Sequence, residues 1–536
     1  MDQAATPRNL ETLISRLISV WLVLALIATS ALPASASDDE WKPLISDRND
    51  LVVSVVSRSS STITNSSSIP FLSVDCRKPS SILPCERSAS SRRLSATEFE
   101  SQFAKDPSIL RASFILPHCE SSESDFCIEQ LSVGEKDASL VFERYITKVV
   151  ETSSAKTVLP SWGTTSIWKV EGSRDSDLRY MVNARVTALW DRESTIRYRD
   201  LIVDVIPFRP YQSDEYLDYA SLAKKYPRWV LTANELIQVG DKACSRPFWI
   251  QDGVCYAKED FPPRSQVSIS MDVPKNLSGW LSARASDIEA SRVSNGPLSD
   301  LLTIRGFSIS VPRVEVKVNK DISSLRTRGR SSIGDGAVNE LKAWREAIEV
   351  STKNASTSRE SVWSVTISDP FLLPRLNSSQ KINKCFSENP GIDGVVATNA
   401  LFFDSNLPKL KDGAFEYRLA GLHRDFKGEI EQGFYQMQMD SDVLRCIYDL
   451  TTVPSFASVA ITNDGAAPRV VTSKLEEPRM SEMYSLEVNG ITFSVVDLKV
   501  SFFSESEIRC VKGGKEKVIQ ETSTAKAKCP KGWKKT

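Results

Sequence analysis

The 536-residue chain has two histidines, His118 and His423, and no C-x-x-C pair. A tetrahedral zinc site draws on several Cys and His at close spacing, so no metal site is expected. His118 abuts Cys119 and reads as structural. His423 lies in a strand-like stretch beside Arg424 and Asp425, where a satisfied or exposed imidazole is expected rather than a base. There is no G-x-S-x-G elbow, the strained turn on which hydrolase serines sit. S-x-x-K matches such as Ser153 with Lys156 and Ser221 with Lys224 lack the K-T-G companion of penicillin-recognising enzymes and read as chance. No Gly-rich phosphate loop opens a helix, so no nucleotide and no other cofactor is expected. Neither Asp440-Ser441-Asp442 nor Asp175-Ser176-Asp177 continues into a calcium loop; both read as polar turns. The net charge is −1, so no global field draws the chain to nucleic acid. Beyond residue 36 no run is apolar and long enough to span a bilayer.

What is present begins at the N-terminus. Arg8 and Arg16 precede an uncharged run, LISVWLVLALIAT at 17–29, and then the small-x-small site Ala34-Ser35-Ala36. A basic leader, a short apolar core and such a site make residues 1–36 a cleavable secretory signal peptide by expectation. An uncleaved signal anchor is the alternative. All ten cysteines follow the signal and fall into sequential couples: Cys76 and Cys85, Cys119 and Cys127, Cys244 and Cys255, Cys385 and Cys446, Cys510 and Cys529. In an oxidising compartment these are expected to be disulfides, although spacing alone does not fix their pairing.

Hydrophobic content of 41% is that of a globular chain, and residues 37–536 suggest roughly three domains. Residues 37–96 are Ser-rich and read as a flexible entry segment. Period-2 alternation then dominates 97–320: Val182, Ala184, Val186, Ala188 and Trp190; Val267, Ile269, Met271 and Val273; Phe307, Ile309 and Val311, with Val314, Val316 and Val318 after Pro312. Such alternation marks half-buried antiparallel strands. Helical signals cover 213–225 and the stretch from Val338 to Ile348, the second inside a linker region at 321–360. Strands return in 361–505, through Tyr435, Met437 and Met439, then Leu486 and Val488, then Leu498, Val500 and Phe502. Asn489-Gly490 between apolar residues predicts a hairpin turn. The expected fold is mainly β: two or more antiparallel sandwich-like units with a few short helices. Tryptophans such as Trp162, Trp168, Trp190, Trp229, Trp249, Trp280, Trp344 and Trp363 are expected in sandwich cores before sugar sites. Paired glycosidase carboxylates cannot be picked from 68 acids without a fold.

The last segment, 506–536, holds Arg509, Cys510, Lys512, Lys515, Lys517, Lys526, Lys528, Cys529, Lys531, Lys534 and Lys535 against Glu507, Glu516 and Glu521. Its Cys510-Val511-Lys512-Gly513 and Cys529-Pro530-Lys531-Gly532-Trp533-Lys534-Lys535 pieces resemble the C-terminal, Cys-framed basic tail of a group of exported actinobacterial proteins. Ala397-Thr398-Asn399-Ala400, the 417–423 stretch YRLAGLH, Arg445-Cys446-Ile447-Tyr448, Gly490-Ile491-Thr492-Phe493-Ser494 and, more loosely, Pro274 to Leu281 are similar to the same group. Trp533 stands where that group has Tyr, and Glu516 interrupts the basic run. The resemblance implies an exported β protein and supplies no activity, substrate or catalytic residue. It also implies that the sequons at Asn65, Asn276, Asn354 and Asn377 are incidental. The expected role is structural or binding, at the cell surface or wall, with the tail meeting anionic wall polymer or a membrane surface. The alternatives are a merely solvated tail and a secreted hydrolase of wall glycan or peptide.

Overall fold

In a computed structural model, most of 91–211, 254–318, 355–368, 391–448, 456–503 and 507–535 is described. Short pieces at 51–55, 71–75, 216–217, 238–239, 242–244, 249–251, 332–333 and 384–386 are described as well. All lie within one compact unit, residues 43–536. The signal peptide, the predicted helix from Val338 to Ile348, the pairs Ser153 with Lys156 and Ser221 with Lys224, Asp175 to Asp177 and the couple Cys76 and Cys85 lie outside the described residues.

The chain is mainly β, as its alternation predicts. The principal strands, in chain order, are β1 (Leu110–Ile115), β2 (Cys127–Gly134), β3 (Ser139–Tyr145), β4 (Ser166–Val170), β5 (Arg179–Trp190), β6 (Ile196–Tyr211), β7 (Gln266–Pro274), β8 (Gly279–Arg284), β9 (Ser286–Ser294), β10 (Ser299–Phe307), β11 (Ile309–Val318), β12 (Ala355–Ser368) and β13 (Ile392–Thr398). They continue with β14 (Ala414–Ala420), β15 (Gln432–Asp440), β16 (Phe456–Asn463), β17 (Arg469–Lys474), β18 (Met483–Thr492) and β19 (Val495–Phe503). One path of ladder hydrogen bonds runs β9-β10-β7-β2-β3-β4-β5-β6-β12-β8-β13-β15-β18. Only β8 with β13 is parallel in that path. A second sheet runs Phe402–Phe403, β14, β19, β16, β17.

Two apolar cores form: the first is enclosed chiefly by strands of the long ladder, and the second lies between that ladder and the second sheet. The first takes Val182, Ala184, Val186 and Ala188 of β5, Val267, Ile269, Met271 and Val273 of β7, and Leu281 and Ala283 of β8. The second takes Tyr435, Met437 and Met439 of β15, with Trp280, Val396 and the inward side chains of β14, β16 and β19. β8 and β13 stand between them, so every residue of both strands is buried. Successive side chains point to opposite faces: Trp280 and Val396 enter the second core, Leu281, Val395 and Ala397 the first. The aliphatic and aromatic residues in these strands suit burial on both faces. Arg284, buried in the same ladder, donates to the carbonyls of Ala400 and Leu401 and lies over the Phe403 ring.

β12 changes neighbours midway. Residues 355–362 pair with β11 and residues 363–368 with β6. At the changeover three consecutive residues reach other segments: Arg359 to Glu431, Glu360 to Lys258 at 2.7 Å, and the Ser361 amide to Asp260. The ladder therefore continues through residues 355–360, inside the region read from sequence as linker.

Several local expectations are corrected. The Ser-rich segment contributes strands: Leu51–Val55 pairs with β11, and Phe71–Asp75 with both Ser91–Arg93 and β1. Cross-strand hydrogen bonding recruits its short β-branched runs despite the flanking serines. Of the predicted helix at 213–225, only Tyr216–Leu217 is described, and it is a strand paired with Cys244 and Ala243. Asn489-Gly490 is not a hairpin turn. β18 runs through it, and the register slips so that Gly433 faces Ile491 and Phe434 faces Asn489. Gly490 is the extra residue of a bulge, with φ of 69°. An αL glycine serves such a bulge as well as it serves a turn. Arg445-Cys446-Ile447-Tyr448 belongs to a helix, Ser441–Tyr448, within the region 361–505 read as β.

Candidate functional site

The basic tail folds into its own small sheet. Glu507–Lys512 (β20) pairs antiparallel with Lys515–Gln520 (β21) and with Lys534–Lys535 (β22). Lys512 faces Lys515 at the end of this ladder. Between Cys529 and β22 the chain turns at Pro530-Lys531-Gly532-Trp533. The Trp533 amide donates to the Pro530 carbonyl at 2.9 Å, and Gly532 has φ of 87°. Position i+2 of such a turn needs a positive φ, which explains the glycine.

This geometry brings charges together that the sequence separates. A Cβ on Gly532 would lie 3.3 Å from the Lys512 ammonium nitrogen, so Lys512 packs over the turn. Lys531 and Lys534 leave the two ends of that turn, and all three lysines are exposed. Trp533, half-buried, sits among them. In the next row the pairing sets Lys517 and Lys535 on either side of Cys510. Glu516 faces Val511, in the row of Lys534 but two strands away. Lys526 and Lys528 lie outside the described residues. Exposed ammonium groups within one Debye length add their potentials toward a polyanion.

The cysteine framework is shown in part. Cys119–Cys127 and Cys385–Cys446 are disulfides, and Cys529 is disulfide-bonded. Cys244, Cys255 and Cys510 lie in strands, but their side chains are outside the described residues. Among the described residues no helix is long and apolar enough to cross a membrane, and no group of three His, Cys, Asp or Glu gathers to hold a metal ion.

Both histidines have structural surroundings. His118 stacks on Phe142 with ring centroids 4.5 Å apart and meets Trp168 edge-on, while its backbone amide donates to the Tyr145 hydroxyl. The Nδ1 of His423 lies 3.0 Å from the Phe493 carbonyl and donates to it, as only an N–H can. Trp168, Trp190, Trp280 and Trp363 are core residues; Trp162, Trp229 and Trp344, and the side chain of Trp249, lie outside the described residues. Asp440 caps a helix, accepting from the amides of Asp442 and Val443. Asn276 donates its side-chain amide to the Ile196 carbonyl at 2.8 Å. The other sequons, Asn65, Asn354 and Asn377, lie outside the described residues. No protein-family model and no curated protein matches the chain.

Proposed function

We propose that the protein is exported by its first 36 residues and held at the cell surface or wall, where its terminal sheet binds anionic polymer. The single observation that carries this reading is the convergence of Lys512, Lys531 and Lys534 on one turn. A merely solvated basic tail gains nothing from a folded turn that gathers its lysines, whereas a polyanion binder does. Each cation near an anionic surface contributes about 1 kcal/mol, screened by salt. The reading also assigns the disulfides to an oxidising exterior. The body then acts as a structural or binding module.

The test uses the full chain on purified cell wall that carries phosphodiester or carboxylate polymer. The wild type is expected to be retained at low salt and released at high salt. The triple variant Lys512→Gln, Lys531→Gln, Lys534→Gln is expected to pass through. Equal retention of the two proteins overturns the tail's role.

A further inference from the structure

The two most exposed large apolar side chains among the described residues sit on one hairpin. Leu298 is 76% exposed and Val293 63%. They flank the turn between β9 and β10, where Pro297 is exposed as well. Isolated exposed apolar residues need no explanation, but this turn is built in an unusual way.

It is joined to the neighbouring turn between β7 and β8. The Lys275 amide donates to the Leu298 carbonyl at 3.0 Å, and the Leu277 amide to the Pro274 carbonyl. Asn295 donates to Asp272 at 2.9 Å, and its amide and that of Gly296 donate to the Ser299 carbonyl. Arg292 joins the whole. Its guanidinium donates to the carbonyls of Pro274, Lys275 and Leu277, while Asp300 neutralises it at 2.7 Å. In a surface loop water serves such carbonyls at no cost. Here they are served from within the protein, and the charge that serves them is itself paired. A tip so arranged loses few hydrogen bonds when water is withdrawn.

We infer that these paired turns are a membrane-surface tip: Leu298, with Pro297 and Val293, enters the head-group region of an anionic bilayer, and the exposed Lys275 meets lipid phosphate. The occupant follows from shape. A side chain that is 76% exposed projects outward. A bilayer surface accepts a projection anywhere, whereas a protein partner needs a matching pocket. A short apolar insertion alone binds weakly and reversibly, so a polybasic element beside it is the usual second signal. The inference deepens the surface-retention reading by naming a second, lipid ligand, and it stands on residues outside the tail.

The test is cosedimentation of the full chain with vesicles of phosphatidylglycerol and phosphatidylcholine, at low salt and at about 0.5 M salt, where charge contributions are screened. The Leu298→Ser, Val293→Ser double variant is expected to lose at least about tenfold in partitioning at high salt, with its Tm unchanged because both sites are exposed. The triple tail variant is expected to keep its high-salt partitioning. In a Leu298→Trp variant, tryptophan emission is expected to shift to the blue on vesicle addition, relative to the wild type. Equal partitioning of wild type and double variant, or no emission shift, overturns the inference. Failure of the tail reading shows separately, as unchanged wall retention of the tail variant.

Discussion

Tyr435 shows what burial does to one residue. Its hydroxyl is buried with no hydrogen-bond partner among the described residues, and desolvation pushes its pKa well above 10. Tyr448 is raised for the same reason, against a backbone hydrogen bond at Phe502. Tyr180 is pushed up to about 12 by desolvation, which outweighs the nearby Arg209. In each case the folded pKa exceeds the unfolded value of 10.0. Their contribution is therefore complete below pH 10 and is lost as pH rises above it, by about 1.4 kcal/mol per unit from each tyrosine. On the alkaline side, thermal melts are expected to show Tm falling steeply above pH 10. Tyr435→Phe is expected to flatten that fall, and to cost little near pH 7 because no hydrogen bond is broken. Period-2 spacing foretold that Val182, Ala184, Val186, Ala188 and Trp190 are core. The orphan hydroxyl of Tyr435 was not legible, because it depends on which strands oppose β15.

At the scale of elements, local chemistry was legible where one signal has one meaning. The strands β5, β7, β15 and β19 follow their alternation. Two helices were missed although their caps are in the sequence. Ser95-Ala96-Thr97-Glu98 forms a capping box for Ala96–Phe103, and Asp440 caps Ser441–Tyr448. The surrounding serines and the run of acids masked both signals. Asn489-Gly490 was misread because a bulge and a turn need the same glycine conformation. Two predictions belong here. A Cβ on Gly394 would fall 2.3 Å from Trp280 and 2.7 Å from the Gln438 carbonyl. Gly394→Ala is expected to destabilise by about 3 kcal/mol or to abolish folding, as denaturant titration would show. Cys385–Cys446 spans 61 residues and Cys119–Cys127 only 8. By loop entropy their removal should cost about 4 and about 2.5 kcal/mol, so Cys446→Ala is expected to lower Tm more than Cys119→Ala.

At the scale of the whole molecule, the doubly buried strands β8 and β13 decide how the protein unfolds. Exposing either core strips one face of both strands, so calorimetry of the chain is expected to give one dominant transition spanning both cores; two well-separated transitions would contradict the shared sheet. No sequence pattern announced this sharing, since GWLSAR and IDGVVAT carry polar residues that suggest exposure. The tail's charge was legible from composition, whereas the turn that gathers Lys512, Lys531 and Lys534 required the strand register. The proposed binding of anionic polymer by this folded cluster rests on charge and is therefore salt-dependent. The most direct measurement is the affinity of the full chain for a soluble anionic wall polymer as ionic strength rises from about 0.05 to about 0.5 M. The wild type is expected to weaken at least about tenfold over that range, and the triple Lys→Gln variant to bind weakly throughout. A wild-type affinity that does not change with salt, or a variant that matches it, would contradict binding by this cluster.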